Sequence, residues 1–320
     1  MITIGICIPT YCRGLITKES ILNIYNKNKE LFDKKICHFY ISDDCSTDNT
    51  FDILESLNNS IHCLTIKKNN ENLGFEGNNG ECVKMCELDY AWMLGDDDTI
   101  NINIEDVIRK IEIYVEHLPD FVIIGKNDKI VEKIYYDKVE AIEQLLYEST
   151  WMSGLLYKKS VIQELDFKRY ELGEFPQTGA IFEYFGTHES SIQYIYGPDY
   201  ASVLRPGVIS YNDRILEIYA RGWTNLVMGL PLTYDYKIKQ RLLRKRIKYG
   251  GMLSNIIIMS LRAQGYYDYN ALIEYYDYIK LYNKTPFVIL YLISIFPKKP
   301  LNILRKLYAK FKKISLSTNG

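Results

Sequence analysis

Three consecutive carboxylates, Asp96, Asp97 and Asp98, have the clearest chemical potential in this sequence. They follow the apolar or small run WMLG at positions 92–95. Neighbouring carboxylates raise one another's pKa unless a cation compensates their charge. Hard divalent cations prefer oxygen ligands, and Mg²⁺ often combines one or two carboxylates with substrate phosphates. The run therefore predicts a Mg²⁺ or Mn²⁺ site that holds a diphosphate. The alternative is a solvated turn or the acidic first turn of a helix.

Polar residues also follow three other apolar runs. Pro9-Thr10-Tyr11 follows the first run, Asp43-Asp44 the second, and Asn72-Leu73-Gly74 comes after the third. In an open parallel sheet, ligands bind outside the carboxyl ends of the strands. Four segments are therefore expected to deliver polar groups to one edge, which favours the metal interpretation of the aspartates. The G-x-G-x-x-G fingerprint is absent from the first strand–helix turn, which argues against an NAD enzyme.

The elements that must position these residues are read from the apolar runs. Strands are expected at Ile4–Ile8, Ile36–Ser42, Ile61–Ile66 and Tyr90–Leu94, with helical patterns between them. This alternation predicts an α/β fold with a mainly parallel, Rossmann-like sheet flanked by helices. Further strands are expected at 121–124 and 152–157, and the pattern after residue 210 is almost entirely helical.

The chain is accordingly divided into an α/β domain, 1–210, and a helical C-terminal region, 211–320. The net charge of −1 argues against nucleic-acid binding by charge. The seven cysteines lack zinc-ribbon spacing and no basic-then-apolar leader precedes them, so reduced thiols in the cytoplasm are expected.

The segments IGICIPTYCR, ISDDCSTDNT, ENLGFEGNN and WMLGDDD resemble the family 2 glycosyltransferases, which have the GT-A fold. The resemblance implies inverting transfer of a sugar from a nucleotide-sugar, most commonly a UDP-sugar, with Mg²⁺ or Mn²⁺ as cofactor. The LGDDD form resembles a bacterial subgroup that builds surface polysaccharides such as capsule or lipopolysaccharide. A saccharide or lipid-linked saccharide is then the expected acceptor.

The same resemblance implies that 1–210 is the glycosyltransferase domain, with 1–100 as its nucleotide-binding half and 101–210 as its acceptor half. It also implies roles for individual residues. Residues expected to bind the nucleotide-sugar are Pro9, Thr10, Tyr11, Arg13, Asp43, Asp44, Asn72, Gly74, Asp96 and Asp97. Asp96 to Asp98 match the DXD-type motif, but Gly95 stands where many relatives carry the first aspartate. Which of the three aspartates binds the metal therefore stays open, with Asp98 or Asp97 favoured.

An inverting transfer needs a carboxylate that takes the proton of the acceptor hydroxyl. The family's acidic pair at the start of a helix is missing here. Glu174, in GEFPQ, lies at about the corresponding place, with Glu183 and Glu189 as rivals. His188 is a further possible metal ligand or phosphate contact, although a lone histidine is more often structural.

The C-terminal region contains an apolar run, FVILYLISIF, between Pro286 and Pro297, followed by KKPLNILRKLYAKFKK. The run is too short to span a bilayer alone, which takes about 20 apolar residues. A basic amphipathic helix can lie in the membrane interface. Residues 286–313 thus predict peripheral contact with the inner face of the cell membrane. The alternative is a core helix followed by a solvated tail.

Two other functions remain open at this stage. A sugar nucleotidyltransferase also combines a parallel sheet with acidic metal ligands, but PTYCRG is a weak match to its glycine-rich basic loop. A non-catalytic saccharide-binding relative would explain the missing acidic pair. Oligomeric state is not predicted by any of these features.

Overall fold

The computed structural model describes residues 1–204, 213–250 and 253–305. Its strands are β1 (Ile4–Thr10), β2 (Cys37–Asp43), β3 (Leu64–Lys68), β4 (Tyr90–Met93), β5 (Asp98–Ile100), β6 (Phe121–Gly125), β7 (Ile134–Tyr135), β8 (Leu155–Lys158), β9 (Ile192–Tyr196) and β10 (Ala201–Val203). Its α-helices are α1 (Gly14–Lys27), α2 (Lys29–Asp33), α3 (Thr50–Glu55), α4 (Gly74–Lys84), α5 (Ile104–Glu112), α6 (Lys138–Leu145), α7 (Lys159–Ile162), α8 (Pro176–Thr187), α9 (Trp223–Gly229), α10 (Tyr236–Gly250), α11 (Asn255–Gln264), α12 (Tyr269–Tyr282) and α13 (Phe287–Ile295).

The main sheet has the strand order β3-β2-β1-β4-β8-β6-β9-β7. The first four strands are parallel to one another. β8 is antiparallel to both β4 and β6, so β6 and its parallel neighbour β9 run in the direction of β4. β7 is antiparallel at the edge. The predicted α/β fold with a mainly parallel, helix-flanked sheet is confirmed.

Strand β1 shows why the sheet is buried on both faces. Ile4, Ile6 and Ile8 point to one side and are fully buried in the main core. On the other side a Cβ at Gly5 would lie 2.4 Å from the Cys86 sulfur, which follows α4. Parallel strands covered on both faces read as continuous apolar runs, which is how β1 and β2 were recognisable in the sequence.

β1 continues through Pro9 to Thr10, whereas the sequence pattern predicts its end at Pro9. Pro9 pairs with Ser42 of β2, but pairing with β4 ends at Cys7 and Met93. Backbone groups two residues apart along a strand face the same neighbour. Pro9 lies two residues after Cys7, so its nitrogen faces the side of β4, beyond the last paired residue of that strand. No hydrogen bond between strands is therefore lost by the absence of an N–H on Pro9.

A two-stranded antiparallel sheet, β5 with β10, was not predicted. Val203 pairs with Asp98, and the Leu204 N–H donates to the Asp97 carbonyl at 2.7 Å. These bonds join two segments about a hundred residues apart in the chain and fix the backbone of the aspartate run. Strands this short carry little periodicity, which is why the sequence pattern missed them.

The described chain separates into two compact units. The first comprises 1–171, 175–204 and 230–234, and the second comprises 172–174, 213–229, 235–250 and 253–305. The second unit is helical, with a π-helical segment at Leu216–Gly222 before α9, as predicted for the C-terminal region. Residues 205–212 lie outside the described part of the chain, so the boundary near residue 210 stays a prediction.

Candidate functional site

The ends of β1, β2 and β4 meet around Thr10, the last residue of β1. Its carbonyl accepts a hydrogen bond from the Asp44 N–H at 2.9 Å. Its hydroxyl donates to Asp96 Oδ2 at 3.0 Å. Asp44 and Asp96 thus lie on either side of one residue, at the carboxyl edge of the parallel strands. The predicted convergence of separate polar segments at this edge is what the structure contains.

Arg13, at the end of the loop between β1 and α1, neutralises part of the aspartate run. Its guanidinium contacts Asp96 Oδ1 at 2.8 Å and Asp97 Oδ2 at 2.7 Å. The loop that carries it is constrained, because Cys12 has φ 51° and its N–H donates to Ser46 Oγ at 2.8 Å. A non-glycine residue with positive φ is uncommon and recurs at functional sites.

The Asp44 carboxylate is held by residues of the loop between β3 and α4. Its Oδ1 accepts from Asn69 Nδ2 at 3.1 Å and from the Leu73 N–H at 2.8 Å. Gly74, the next residue, has φ 74°, a conformation in which glycine avoids the penalty that other residues incur. The side chain of Asn72 accepts from the Gly74 N–H at 2.9 Å. Asn72 and Gly74 therefore shape the turn that brings this loop to Asp44.

Asn78 on α4 connects the same loop to two strands. Its Nδ2 donates to the carbonyls of Ser42 at 3.1 Å and Thr10 at 3.4 Å, and its Oδ1 accepts from Asn69 at 3.0 Å. Asn69 and Asn78 were missed by the sequence analysis, since isolated asparagines in a loop and a helix carry no local signal.

The two aspartates after β2 have different surroundings. Asp43 is completely buried; Ser46 donates to its Oδ1, and its Oδ2 has no hydrogen-bond partner among the described residues. The Asp43 carboxylate thus holds the loop after β2 in place, whereas the Asp44 carboxylate bonds to the β3–α4 loop. Tyr11 is exposed and Pro9 is half-buried at the same edge.

Asp98 is buried and oriented by the segment before β8. Its Oδ2 accepts from Trp151 Nε1 at 3.1 Å and from the Ser153 hydroxyl. Ser153 Oγ in turn accepts from the Gly95 N–H at 3.0 Å. The other oxygen, Asp98 Oδ1, is buried and lacks a hydrogen-bond partner in the described part of the chain. Such an oxygen is costly to leave unpaired and suits a hard cation.

Burial dominates the electrostatics of the run. It raises the pKa of Asp96 to about 6, with the Arg13 charge acting to lower it and Asp97 to raise it. Burial also raises the pKa of Asp98, against hydrogen bonds from Ser153 and Trp151 that lower it. In the described residues, no group of three His, Cys, Asp or Glu side chains is arranged to hold a metal ion.

Lys126 is a further cation at this edge that the sequence analysis missed. It follows β6, and its Nζ lies 3.9 Å from the ring centroid of Trp151. Its charge lowers the pKa of Asp98. Lys126 reaches the aspartate run only because β8, between β4 and β6, brings the two strand ends together.

The structure does not bring His188 and Glu189 to the aspartates. Both directly precede β9, whose first residue, Ile192, pairs with Phe121, the first residue of β6. They therefore lie at the amino ends of these strands, opposite the aspartate edge. His188 stacks on Tyr184 with ring centroids 4.1 Å apart. The prediction that His188 joins the aspartates as a ligand is corrected accordingly, because α8 carries the chain away from them.

The other two base candidates are both engaged in ion pairs. Glu183 on α8 accepts a hydrogen bond from the Tyr170 hydroxyl and lies 3.2 Å from Arg169 Nε. Glu174 belongs to the second unit, where its Oε1 lies 2.5 Å from Arg214 Nη2. Its φ is 59°. Glu174 comes two residues before Pro176, the first residue of α8.

The beginning of α8 is bonded to the segment that precedes Trp151. Gln177 Nε2 donates to the Thr150 carbonyl at 2.9 Å, and the Thr178 hydroxyl donates to the Ser149 carbonyl at 2.9 Å. This places the first turn of α8 next to the residues that orient Asp98.

Residues 5–168, just over half of the chain, match the family model described as glycosyl transferase family 2. The chain belongs to glycosyl transferase family 2. A curated relative, the abequosyltransferase RfbV of Salmonella typhimurium (strain LT2), is 25% identical over 224 residues. That match covers 61% of this family 2 chain and 65% of the relative's length.

Solved structures share the fold of this family 2 transferase. S. aureus TarS (residues 1–349) superposes with a TM-score of 0.52 at 14% identity, covering 97% of this chain and 91% of that one. The same protein in complex with UDP-GlcNAc gives a TM-score of 0.51 at 15% identity, covering 97% and 92%. The mannosyltransferase PcManGT from Pyrobaculum calidifontis, in complex with GDP-Man and Mn²⁺, gives 0.52 at 12% identity, covering 97% and 88%. Family membership favours glycosyl transfer over the nucleotidyltransferase alternative.

Proposed function

We propose that this protein is an inverting, divalent-metal-dependent glycosyltransferase that uses a nucleotide-sugar, with a UDP-sugar as the first candidate. The observation that carries the proposal is the meeting of Asp44 and Asp96 at Thr10. It brings Asp44, whose carboxylate suits a base or ribose, and the first residue of the aspartate run to the end of the same strand. The relative named an abequosyltransferase and the neighbours solved with UDP-GlcNAc and GDP-Man support a nucleotide-sugar donor.

In this proposal the nucleoside lies between the β1, β2 and β3 ends. Asp44 accepts hydrogen bonds from the base or ribose, the exposed ring of Tyr11 covers the nucleoside, and the turn at Gly74 lets the backbone approach the diphosphate. The carboxylates that would hold Mn²⁺ or Mg²⁺ are Asp98, through its unpaired Oδ1, and Asp97. When bound, the ion neutralises charge on the departing nucleoside diphosphate.

The chain's own residues prepare this site before the donor arrives. Trp151 and Ser153 fix the orientation of Asp98, and preorganised polar groups need no rearrangement during the reaction. Thr10 and Arg13 hold Asp96. Lys126 places a positive charge over the ring of Trp151 and lowers the pKa of Asp98.

Glu174 is the proposed general base for the acceptor hydroxyl. It lies two residues before α8 in the chain, at about the place that the family resemblance indicates, and its left-handed backbone is typical of functional positions. Its partner Arg214 would have to release it.

Glu174→Gln should lower kcat at least about hundredfold with little change in KM for the donor. Glu183→Gln, on α8, is the matched control. Equal activity of Glu174→Gln and wild type would refute the assignment.

The decisive assay is turnover of a panel of nucleotide-sugars, measured as release of the nucleoside diphosphate with Mn²⁺ or with a chelator. We expect release from one donor class that requires the ion. Failure to bind or turn over any common donor would reject the proposal and leave the non-catalytic saccharide-binding relative. Release of pyrophosphate from a nucleoside triphosphate would instead support the nucleotidyltransferase.

We propose a lipid-linked saccharide as acceptor and a peripheral contact of the second unit with the cytoplasmic face of the membrane. Helix α13 carries exposed apolar side chains, with Val288 63%, Ile289 46% and Leu292 54% exposed. Among the described residues no single helix is long and apolar enough to cross a membrane; only α13 and Lys298–Arg305 together, with a 96° bend between them, reach the length and composition of a span.

Aromatic rings and charge accompany this apolar surface. The rings of Tyr276, Phe287 and Tyr291 are in contact, with centroids 4.9 Å apart for the first pair and 6.4 Å for the second. Tyrosines combine an apolar body with a polar end and favour the membrane interface. No Asp or Glu follows Asp277, while Lys and Arg continue, which complements an anionic lipid surface. The predicted contact region extends to 313, and its residues from 306 lie outside the described part.

Co-sedimentation with vesicles tests the membrane contact. Wild type should bind phosphatidylglycerol vesicles and bind phosphatidylcholine vesicles weakly. Val288→Ser combined with Leu292→Ser should reduce binding about tenfold or more, since each buried apolar side chain contributes one to a few kcal/mol. Leu232→Ser, at a 93% exposed leucine of the first unit, is the control. Equal binding by wild type and the double variant would contradict this contact.

A further inference from the structure

The guanidinium of Arg13 contacts Asp97, one of the two carboxylates proposed to hold the metal ion, and also the neighbouring Asp96. It contacts Asp96 Oδ1 at 2.8 Å and Asp97 Oδ2 at 2.7 Å. Because Thr10 donates to the second oxygen of Asp96, both oxygens of that carboxylate are engaged. Arg13 therefore provides the cationic partner of Asp96 and Asp97 in the structure described here.

The charges around this group favour an exchange of partners. Three carboxylates follow one another, and Arg13 contacts two of them, Asp96 and Asp97. One guanidinium cannot compensate all three charges. Asp98 Oδ1 is buried without a hydrogen-bond partner in the described residues. This oxygen of the aspartate run is therefore not neutralised by Arg13.

We propose that Arg13 is an internal counter-ion that holds Asp97 while the site lacks its donor. When the metal-bound donor enters, Asp97 exchanges Arg13 for the cation, and the freed guanidinium binds a diphosphate oxygen. This inference rests on the proposed function and adds a role that metal binding alone does not require. Arg13 suits the role because its planar guanidinium pairs equally well with carboxylates and with phosphates.

The position of Arg13 allows such a movement. Its side chain is 32% exposed, against 10% for Asp96, so the guanidinium lies at the open side of the pair. Its backbone is fixed, because the following Gly14 N–H donates to Thr50 Oγ1 at 2.9 Å and a Cβ at Gly14 would lie 2.7 Å from Thr50 Cα. A fixed backbone with a mobile head group limits the exchange to the side chain.

A metal titration without donor tests the proposal. Free Mn²⁺ is followed by its electron paramagnetic resonance signal in wild type, Arg13→Gln and Arg13→Lys. Removing a competing cation a few ångströms away should tighten Mn²⁺ binding about tenfold in Arg13→Gln. Arg13→Lys keeps the charge and should stay close to wild type. Arg109→Gln is the control, since Arg109 also contacts two carboxylates, Glu105 and Asp106, on the exposed surface of α5.

The second arm measures inorganic pyrophosphate binding with Mn²⁺ saturating. Arg13→Gln should bind it about tenfold more weakly than wild type, because a charge-assisted contact is lost. Unchanged or weaker Mn²⁺ binding by Arg13→Gln, with the variant folded by circular dichroism, would overturn the proposal. If Arg13→Gln does not fold, Arg13→Lys decides the question. Pyrophosphate binding by Arg13→Lys that equals that of wild type supports a charge-based exchange. Loss of Mn²⁺ binding by Arg13→Lys overturns the exchange. Neither result depends on donor turnover, so failure of the proposed function is seen separately.

Discussion

The aspartate run shows how far single residues could be read from sequence. Asp96 to Asp98 were recognisable because three acids directly follow an apolar run. Ser153 and Trp151, which orient Asp98, were not, since their contacts arise from pairing of β4 with β8, whose residues are some sixty positions apart. His188 was misplaced for the related reason that a residue type alone does not say at which end of a strand it lies.

Asp96 gives a prediction on the pH dependence of stability in metal-free protein. Its pKa is raised by burial from an ordinary 3.8 to about 6. Below both values the group is protonated in the folded and unfolded states and has no effect. As pH rises through this interval, the unfolded chain ionises first, so the folded state loses stability.

Replacing Asp96 with asparagine removes this titration. The free energy of unfolding of Asp96→Asn relative to wild type should therefore rise by about 2 kcal/mol between about pH 4.5 and about pH 7.5. Urea unfolding with a chelator present measures it. A difference between the two proteins that is the same at both pH values would show that Asp96 titrates normally.

At the scale of elements, the strands and helices near the site were largely predictable, whereas the connections between them were not. Long apolar runs gave β1, β2 and β4, because parallel strands buried on both faces are continuously hydrophobic. β5 and β10 have three residues each and no usable period. The turn after β3 depends on Asn69 and Asn78, which act through contacts with distant segments. It also depends on Asn72, which accepts from the Gly74 N–H two residues later.

Gly74 gives a prediction for the β3–α4 turn. With φ 74°, alanine at this position should cost about 1 kcal/mol of stability and shift the Leu73 N–H away from Asp44. Nucleotide binding should weaken as a result. Gly265→Ala in the second unit, where φ is 97°, should cost a similar amount of stability with nucleotide affinity unchanged. Thermal unfolding and UDP titration of both variants check this, and equal UDP affinities in the two variants would refute the role of the turn.

At the scale of the whole molecule, the sequence predicted the fold class and the helical character of the C-terminal region. It did not predict that residues 172–174 group with the second unit and 230–234 with the first. Such exchanges depend on packing between segments far apart in the chain, for which a single sequence carries no periodic signal.

The central claim is that carboxylates at the ends of neighbouring strands bind one divalent ion and one diphosphate together. Isothermal titration of UDP into wild type and Asp98→Asn, each with Mn²⁺ and with a chelator, tests it most directly. Binding of ion and nucleotide should be coupled, so Mn²⁺ should tighten UDP binding to wild type at least about tenfold. Asp98→Asn should lose that gain. UDP affinity that is the same with and without Mn²⁺ in wild type would contradict the account.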